Sequence, residues 1–208
     1  LKPSLFFEAL QKCNALKELF PSFEPLKSSK NNMLNISDWE YSFQILDLAK
    51  TFDFSLDLLF ASFFMIFGKS SKKNQREKDL KKLEAVLEEL RFPQKARQLC
   101  LETARYNQIG HKLLESSPEE LLDLFKKLKA FHQGHSMLPD YLKCIEVELK
   151  ILHGNENSSE MPSKIFNLIQ ELKNLNTTQL ESKFQGKALG EAIDKARKEI
   201  ISSLIQKS

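Results

Sequence analysis

Side chains that commonly bind metals or act as catalytic bases are scarce in this chain, which has four histidines and three cysteines. His132 and His135 have the spacing of metal ligands, but a zinc site needs further ligands, and Cys144 is the only soft ligand nearby in the sequence. We therefore expect a polar loop and no metal there. His111 lies in a predicted helix, where packing is a more common role for histidine than catalysis.

The acidic residues and the cysteines do not indicate a reactive centre either. Asp53 and Asp57 are four residues apart, but helix capping and a solvated first turn explain this pair more simply than catalysis does. Cys13, Cys100 and Cys144 are far apart, and each lies in an apolar helical pattern. We expect the three thiols to be buried, reduced and part of the packing.

The composition predicts a helical protein. Hydrophobic residues make up 41% of the chain, which is enough for a core, and the 28% of charged residues are interspersed among them. Glycine is scarce, long stretches have a helical period, and no segment alternates convincingly as a strand would. We predict an all-α fold. The net charge of +3 is compatible with RNA binding but does not establish it.

Capping signals predict where some helices begin. Ser117, Pro118 and Glu120 form a strong start signal, with serine as the N-cap, proline at the first helical position and glutamate at the third. Ser37 or Asp38 is expected to cap an earlier helix in the same way.

Three longer segments are predicted from periodicity and charge. We expect one helix over residues 5–19 and another over residues 94–114, after Pro93. Residues 69–82 are strongly basic, and we expect the first half of this segment to be a loop and the second half to begin a helix.

No targeting or membrane segment is evident. The longest apolar run, residues 56–67, contains Asp57 and is too short to span a bilayer. We therefore expect no membrane association and a cytoplasmic location. The chain begins with Leu1 rather than methionine, so we expect it to be a piece of a longer protein.

Four segments, in order, resemble motifs of the bacterial tRNA nucleotidyltransferases known as CCA-adding enzymes, of the gamma-proteobacterial type that carries an HD domain. They are FFEALQKCNAL (6–16), LRFP (90–93), PEELLDLFKKLKAF (118–131) and FQGKALGEAIDKAR (184–197). Each motif alone is weak, and their common order over nearly the whole chain makes the resemblance fairly specific.

The resemblance implies a domain organisation and a partner. It implies a neck-like helix at residues 1–27, a degenerate HD-like helical body at 28–153 and a C-terminal helical tail at 154–208. These segments would clamp tRNA. A separate catalytic head would add CMP and AMP to the tRNA 3′ end with Mg²⁺, ATP and CTP. We expect that head to be absent from these residues, because no Gly-Ser turn precedes an Asp-x-Asp pair in this chain.

The chain departs from the family where the HD domain binds its metal. The first metal histidine of the family falls at Tyr41, and the His-Asp pair falls at Met65 and Ile66. A later histidine falls at Asn107, whereas His111 remains. A thioether and an alkyl group are not ligands for a hard cation. We therefore expect no catalytic residues in this segment and no HD phosphohydrolase activity.

Basic residues are the candidates for tRNA contacts, because lysine and arginine can recognise the A-form backbone without reading its sequence. The candidates on the body are Lys95, Arg97, Arg105 and Lys112. The candidates on the tail are Lys183, Lys187, Lys195, Arg197 and Lys198. Acidic residues are interleaved with them, so ordinary solvated charge remains an alternative for each one.

Two other functions stay open on the sequence alone. The chain could be a stand-alone, non-catalytic helical module that binds RNA or protein, or a phosphohydrolase that has kept its activity with other ligands. The sequence does not give the oligomeric state. It does not separate CCA addition from poly(A) addition either, because that choice lies in the head.

Overall fold

A computed structural model describes residues 2–31, 34–132, 134–154 and 160–205. Helices account for most of these residues, and the strands among them are a single two-residue pair, so the predicted all-α fold is confirmed. The helices are α1 (Ser4–Lys12), α2 (Leu16–Leu19), α3 (Glu24–Ser28), α4 (Asp38–Thr51), α5 (Leu56–Phe64), α6 (Lys73–Glu89), α7 (Gln94–Arg105), α8 (Asn107–Gly110), α9 (Pro118–Lys127), α10 (Leu138–His153), α11 (Glu160–Lys173), α12 (Thr178–Glu181) and α13 (Gly186–Ile205). The strands are β1 (Lys30–Asn31) and β2 (Ile36–Ser37), and short 3₁₀ turns cover Pro21–Phe23, Met65–Gly68 and Leu113–Glu115.

Both predicted capping signals are confirmed. Ser37 caps α4, where its hydroxyl accepts from the Glu40 amide at 3.1 Å and the Glu40 carboxylate accepts from the Ser37 amide at 2.8 Å. Ser117 and Glu120 form the same reciprocal pair at the start of α9. Each pair satisfies amide groups that the first turn of a helix leaves open.

Two predicted long helices are broken. The helix expected over residues 5–19 ends at Lys12, because Asn14 adopts a left-handed backbone with φ of 59°, which asparagine tolerates better than most residues. The helix expected over residues 94–114 ends at Arg105, and the chain resumes as α8 and then as a 3₁₀ turn. Helical periodicity did not reveal either break, since the apolar spacing continues through both.

Two smaller expectations were also wrong. The helix α6 already begins at Lys73, so the predicted loop in the basic segment is limited to residues 69–72. Cys13 is exposed, whereas Cys100 and Cys144 are buried as predicted. Burial raises the pKa of Cys144 to about 12, which keeps this thiol protonated at neutral pH.

The chain divides into two compact units. The first comprises Leu1–His111 with Asp140–Ser158, and the second comprises Lys112–Pro139 with Ser159–Ser208. The predicted boundaries after residues 27 and 153 stay predictions, and most of the polar segment expected to separate body from tail lies outside the described residues. Among the described residues, no helix is long and apolar enough to cross a membrane.

Each unit has its own apolar core. In the first unit, the Phe7 and Phe63 rings stack at 5.0 Å, and Trp39 and Phe23 pack around them. In the second unit, the buried side chains include Leu121, Leu124, Phe125, Ile165, Leu168 and Ile201. The first of these cores holds α4 and α5 together, and α4 carries part of the polar site described next.

Candidate functional site

Four polar side chains from distant parts of the chain meet in the first unit. The Tyr41 hydroxyl donates to Glu148 Oε1 at 3.0 Å, and Asn107 Nδ2 donates to Glu148 Oε2 at 2.6 Å. His111 Nε2 lies 2.7 Å from that second oxygen. Tyr41, Asn107 and Glu148 are buried, so this carboxylate is satisfied by protein donors. We refer to these four residues as the Glu148 network.

Three helices, α4, α8 and α10, position the network. Tyr41 lies on α4, one turn after the Ser37 cap, and Glu148 lies on α10. Asn107 begins α8, and His111 follows that helix directly. Because these last two residues are four apart, they lie on one helical face, and both reach the same carboxylate oxygen.

Burial and the negative charge of Glu148 determine the protonation of His111 and Tyr41. Burial lowers the pKa of His111, but the hydrogen bond and the negative charge of Glu148 outweigh it, so the pKa is raised overall. Burial, and then the charge of Glu148, raise the pKa of Tyr41 far above its ordinary value. The tyrosine therefore stays protonated as a donor, and both oxygens of Glu148 accept hydrogen bonds within the protein.

This arrangement does not fit a divalent metal. Met65 and Ile66, where the sequence comparison expects the His-Asp pair, are both buried. The one carboxylate in the network is already engaged by three donors, whereas a hard cation requires free oxygen or imidazole ligands. No group of three or more His, Cys, Asp or Glu that could hold a metal occurs among the described residues.

The network lines one wall of a cleft with a volume of about 670 Å³. Asp38, which is fully buried, lines the same cleft and accepts hydrogen bonds on Oδ2 from Lys69 Nζ and Ser29 Oγ. Its other oxygen, Oδ1, has no hydrogen-bond partner within the described parts of the chain. This oxygen is therefore a buried acceptor that no described donor satisfies.

The start of α6 forms another side of this cleft and is unusually basic. Lys72 is the N-cap without a side-chain capping bond, and the first turn has no acidic residue, while Glu88 and Glu89 lie in the last turn. This distribution opposes the helix dipole, and each misplaced charge costs about 0.3–1 kcal/mol.

Few of the lysines at this helix start are neutralised by acidic neighbours. Lys82 pairs with Asp79 at 3.2 Å, and Lys69 pairs with Asp38. Other lysines of the segment are exposed and form no ion pair with any residue that the structure describes, namely Lys72, Lys73, Lys78 and Lys81. We call these four residues the α6 basic surface.

Of the four candidates for tRNA contacts on the body, two arginines form ion pairs within the fold and two lysines are exposed. Arg97 binds Glu88 at 3.0 Å, and Arg105 lies between Glu77 and Glu102 at 3.6 and 3.5 Å. Both guanidinium groups are partly occupied within the fold. Lys95 on α7 is exposed, and Lys112, which belongs to the second unit, is also exposed.

The tail candidates lie on or just before α13. Lys187 is almost fully exposed, with Glu191 at 3.7 Å one turn away. Lys198 binds Glu119 of α9 at 3.2 Å. Two further lysines, Lys183 and Lys195, are exposed. Lys187, Lys195 and Lys198 are eight and then three residues apart, so they share one face of the helix.

Arg197 differs from the other tail candidates. Its guanidinium lies over the Phe131 ring, 3.8 Å from the centroid. Burial lowers the pKa of Arg197, and Asp194 acts in the opposite direction. The side chain is half-buried, and its main contact is within the second unit, which indicates a packing role.

Comparison with known proteins finds similarity to CCA-adding enzymes. It is 24% identical to a Multifunctional CCA protein from Pseudomonas savastanoi pv. phaseolicola, over 94% of this chain and 51% of the relative. It is 26% identical to one from Alcanivorax borkumensis, over 98% of this chain and 53% of the relative. A CCA-adding enzyme from Pseudomonas entomophila is 24% identical over 64% of this chain and 31% of the relative.

No family model and no solved structure matches the chain. Almost the whole of this chain aligns with these relatives, but it spans only about half of their length. This is consistent with a C-terminal portion of such proteins. The resemblance indicated by the four motifs is therefore confirmed, and along nearly its whole length this chain is similar to CCA-adding enzymes.

Proposed function

We propose that this chain is the tRNA-binding body and tail of a CCA-adding type of nucleotidyltransferase, and that it is not catalytic by itself. The observation that carries the proposal is the similarity to Multifunctional CCA proteins over 94–98% of the chain. In the intact protein, a head outside these 208 residues would add CMP and AMP. This chain would hold the tRNA by its phosphate backbone and present the 3′ end.

We also propose that the HD phosphohydrolase activity has been lost. The support is local, because the positions expected to hold metal carry Met65 and Ile66, and Glu148 is engaged by Tyr41, Asn107 and His111. Metal analysis of the purified chain should find less than stoichiometric Mn, Ni and Fe. Stoichiometric metal together with metal-dependent release of phosphate would refute this part of the proposal.

The tail lysines provide the direct test of tRNA binding. Reversal of Lys187, Lys195 and Lys198 to glutamate should weaken tRNA binding by roughly tenfold or more at about 0.1 M salt, because each lost phosphate contact removes the release of one counterion. We refer to this protein as the tail variant.

A matched control separates local contacts from net charge. Lys12, Lys17 and Lys50 are exposed lysines of the first unit outside the candidate set, and their reversal to glutamate changes the net charge by the same amount. This control variant should bind within about threefold of the wild type, since the charge of the whole chain affects binding less than direct contacts do. Equal loss in both variants would refute the tail contact.

A further inference from the structure

An apolar groove in the first unit shares no lining residue with the polar cleft described above. It has a volume of about 410 Å³ and is lined mainly by α1, α5 and the turn between α6 and α7. Every described residue that lines it is phenylalanine, leucine or proline. A site for a small polar ligand usually contains a few polar groups that orient the ligand, so this groove suits an apolar protein surface better.

Two large side chains that line the groove are exposed. Phe6 on α1 has 59% of its surface exposed, and Leu56 at the start of α5 has 67%. Single exposed apolar residues are common on soluble proteins, but these two line the same groove as the buried Phe7 and Phe64. They therefore belong to one apolar patch, and a contiguous patch marks an interaction surface more often than scattered residues do.

The helix α1 is apolar on more than one side. Phe7 faces the core, where its ring stacks on Phe63 at 5.0 Å, whereas Leu5, Phe6 and Ala9 are exposed. A surface helix usually has a single apolar stripe, and a helix that is apolar on further sides is usually covered there as well. The outer side of α1 is therefore expected to be covered in the intact protein.

The position of the groove indicates what covers it. Pro3 lines the groove and directly precedes α1, so any polypeptide that leads into this helix passes its rim. This chain covers only 51–53% of the relatives that it matches along nearly its whole length, in a manner consistent with their C-terminal portion. Under the proposed function, the head therefore comes before α1. A partner that is tethered so closely has a high effective concentration at the groove.

We propose that this groove is the surface on which the head of the intact protein docks, with an apolar segment of the head against Phe6 and Leu56. The proposal rests on the proposed function and names the contact that orients the head relative to the first unit. Such a contact would set the distance between the head and the tRNA that this chain holds.

The test measures the reactivity of a thiol placed in the groove. Leu56→Cys is made together with Cys13→Ser, which removes the exposed native thiol, while Cys100 and Cys144 are buried. Maleimide should modify the new thiol roughly tenfold or more slowly in the intact protein than in the isolated 208-residue chain, because a tethered head occupies the groove most of the time.

A matched control separates the groove from the rest of the surface. Phe52 is also a large exposed side chain of the first unit, with 44% of its surface exposed, but it does not line the groove. Phe52→Cys, again with Cys13→Ser, should react at rates within about threefold of each other in the two proteins, since its accessibility does not change. Equal protection of both thiols would overturn the groove as the specific contact.

A charge in the groove provides a second measurement. Phe6→Glu should keep the urea midpoint and the tRNA binding of the isolated chain, because this side chain is exposed and the first turn of α1 has no acidic residue. In the intact protein, it should return the reactivity of Leu56→Cys to the level of the isolated chain. Protection that survives Phe6→Glu would overturn the proposal.

The outcomes distinguish this proposal from the proposed function. An intact protein without a head would refute both. A head together with equal reactivity of Leu56→Cys in the two proteins would overturn the docking surface alone and leave tRNA binding untouched. Protection that appears in the isolated chain as its concentration rises, with a dimer in sedimentation equilibrium, would assign the groove to a second copy and overturn the docking of the head.

Discussion

Replacement of Glu148 by alanine should strongly destabilise the first unit. In the native structure, this carboxylate accepts hydrogen bonds from Tyr41 at 3.0 Å and Asn107 at 2.6 Å, and its Oε2 lies 2.7 Å from His111. The first two donors are buried, so alanine would leave them without a partner and out of reach of bulk water.

The magnitude follows from these two donors. A buried donor that loses its partner costs about 1–3 kcal/mol, so Tyr41 and Asn107 together predict a loss of about 2–6 kcal/mol. The side chain of His111 is 27% exposed, so it can turn to water and should contribute less. A loss of this size is a large fraction of the usual stability of a domain.

Urea unfolding followed by tryptophan fluorescence measures this loss. Trp39 is the single tryptophan of the chain and is buried in the first unit, so its emission reports the unfolding of that unit. Glu84 is exposed on α6, and its replacement by alanine is the matched control, for which we expect a change within about 0.5 kcal/mol.

A milder variant keeps the test informative if the alanine protein does not fold. Glu148→Gln preserves the shape and one acceptor, but it places an amide donor against Asn107 or His111, so a loss of about 1–3 kcal/mol is expected. A loss below about 0.5 kcal/mol for both Glu148 variants would refute the reasoning, because it would mean that the donors are not held by this carboxylate.

The remaining predictions concern pH, packing and the tail. Because the pKa of His111 is raised in the folded state, its stabilising effect is complete below about pH 6.5 and is lost as the pH rises through the folded value. The urea midpoint of the wild type should therefore fall as the pH rises from about 6.5 through the folded-state pKa of His111. The midpoint of His111→Gln should stay level over the same pH interval. Gly68→Ala should destabilise the first unit by more than about 1–3 kcal/mol, since the new Cβ would lie 1.6 Å from the backbone oxygen of Ala104. A Cβ at Gly190 would meet nothing within 4 Å, so Gly190→Ala should stabilise α13 by about 0.5–1 kcal/mol. Thermal unfolding followed by circular dichroism measures both changes. Arg197→Ala should lower the melting temperature of the second unit because its contact with an aromatic ring is lost, while Lys195→Ala should leave melting unchanged and reduce the salt slope of tRNA binding by about 1.

The sequence predicted the fold class and the helix starts that depend on local signals. The serine caps at Ser37 and Ser117 were identified because a capping box is set by residues three apart. The breaks after Lys12 and Arg105 were missed, since a left-handed Asn14 and the turn at Tyr106 interrupt the backbone without interrupting the apolar period.

The candidate site was harder to predict because its members are distant in sequence. Tyr41 and Glu148 are 107 residues apart, and Asn107 and Glu148 are 41 apart, so no motif spacing joins them. The motif comparison marked Tyr41 and Asn107 singly as departures from a metal site. It could not show that the replacements form one hydrogen-bonded network, because that depends on how α4, α8 and α10 pack.

The basic surface residues could also be predicted only in part. Sequence identified basic residues but not their partners, and the ring under Arg197 or the carboxylate beside Arg97 appears only when helices are packed together. The basic start of α6 was visible as composition. Its position beside a cleft that contains the buried Asp38 was not.

Salt titration of tRNA binding is the most direct test of the central claim that this chain holds tRNA by its backbone. Two tRNAs of different sequence should bind the purified chain with affinities within about threefold of each other, and log affinity should fall with log salt with a slope of several, at about 0.7–0.9 for each phosphate contact. Absence of binding at about 0.05 M salt, a slope near zero, or strong discrimination between the two tRNAs would contradict the claim.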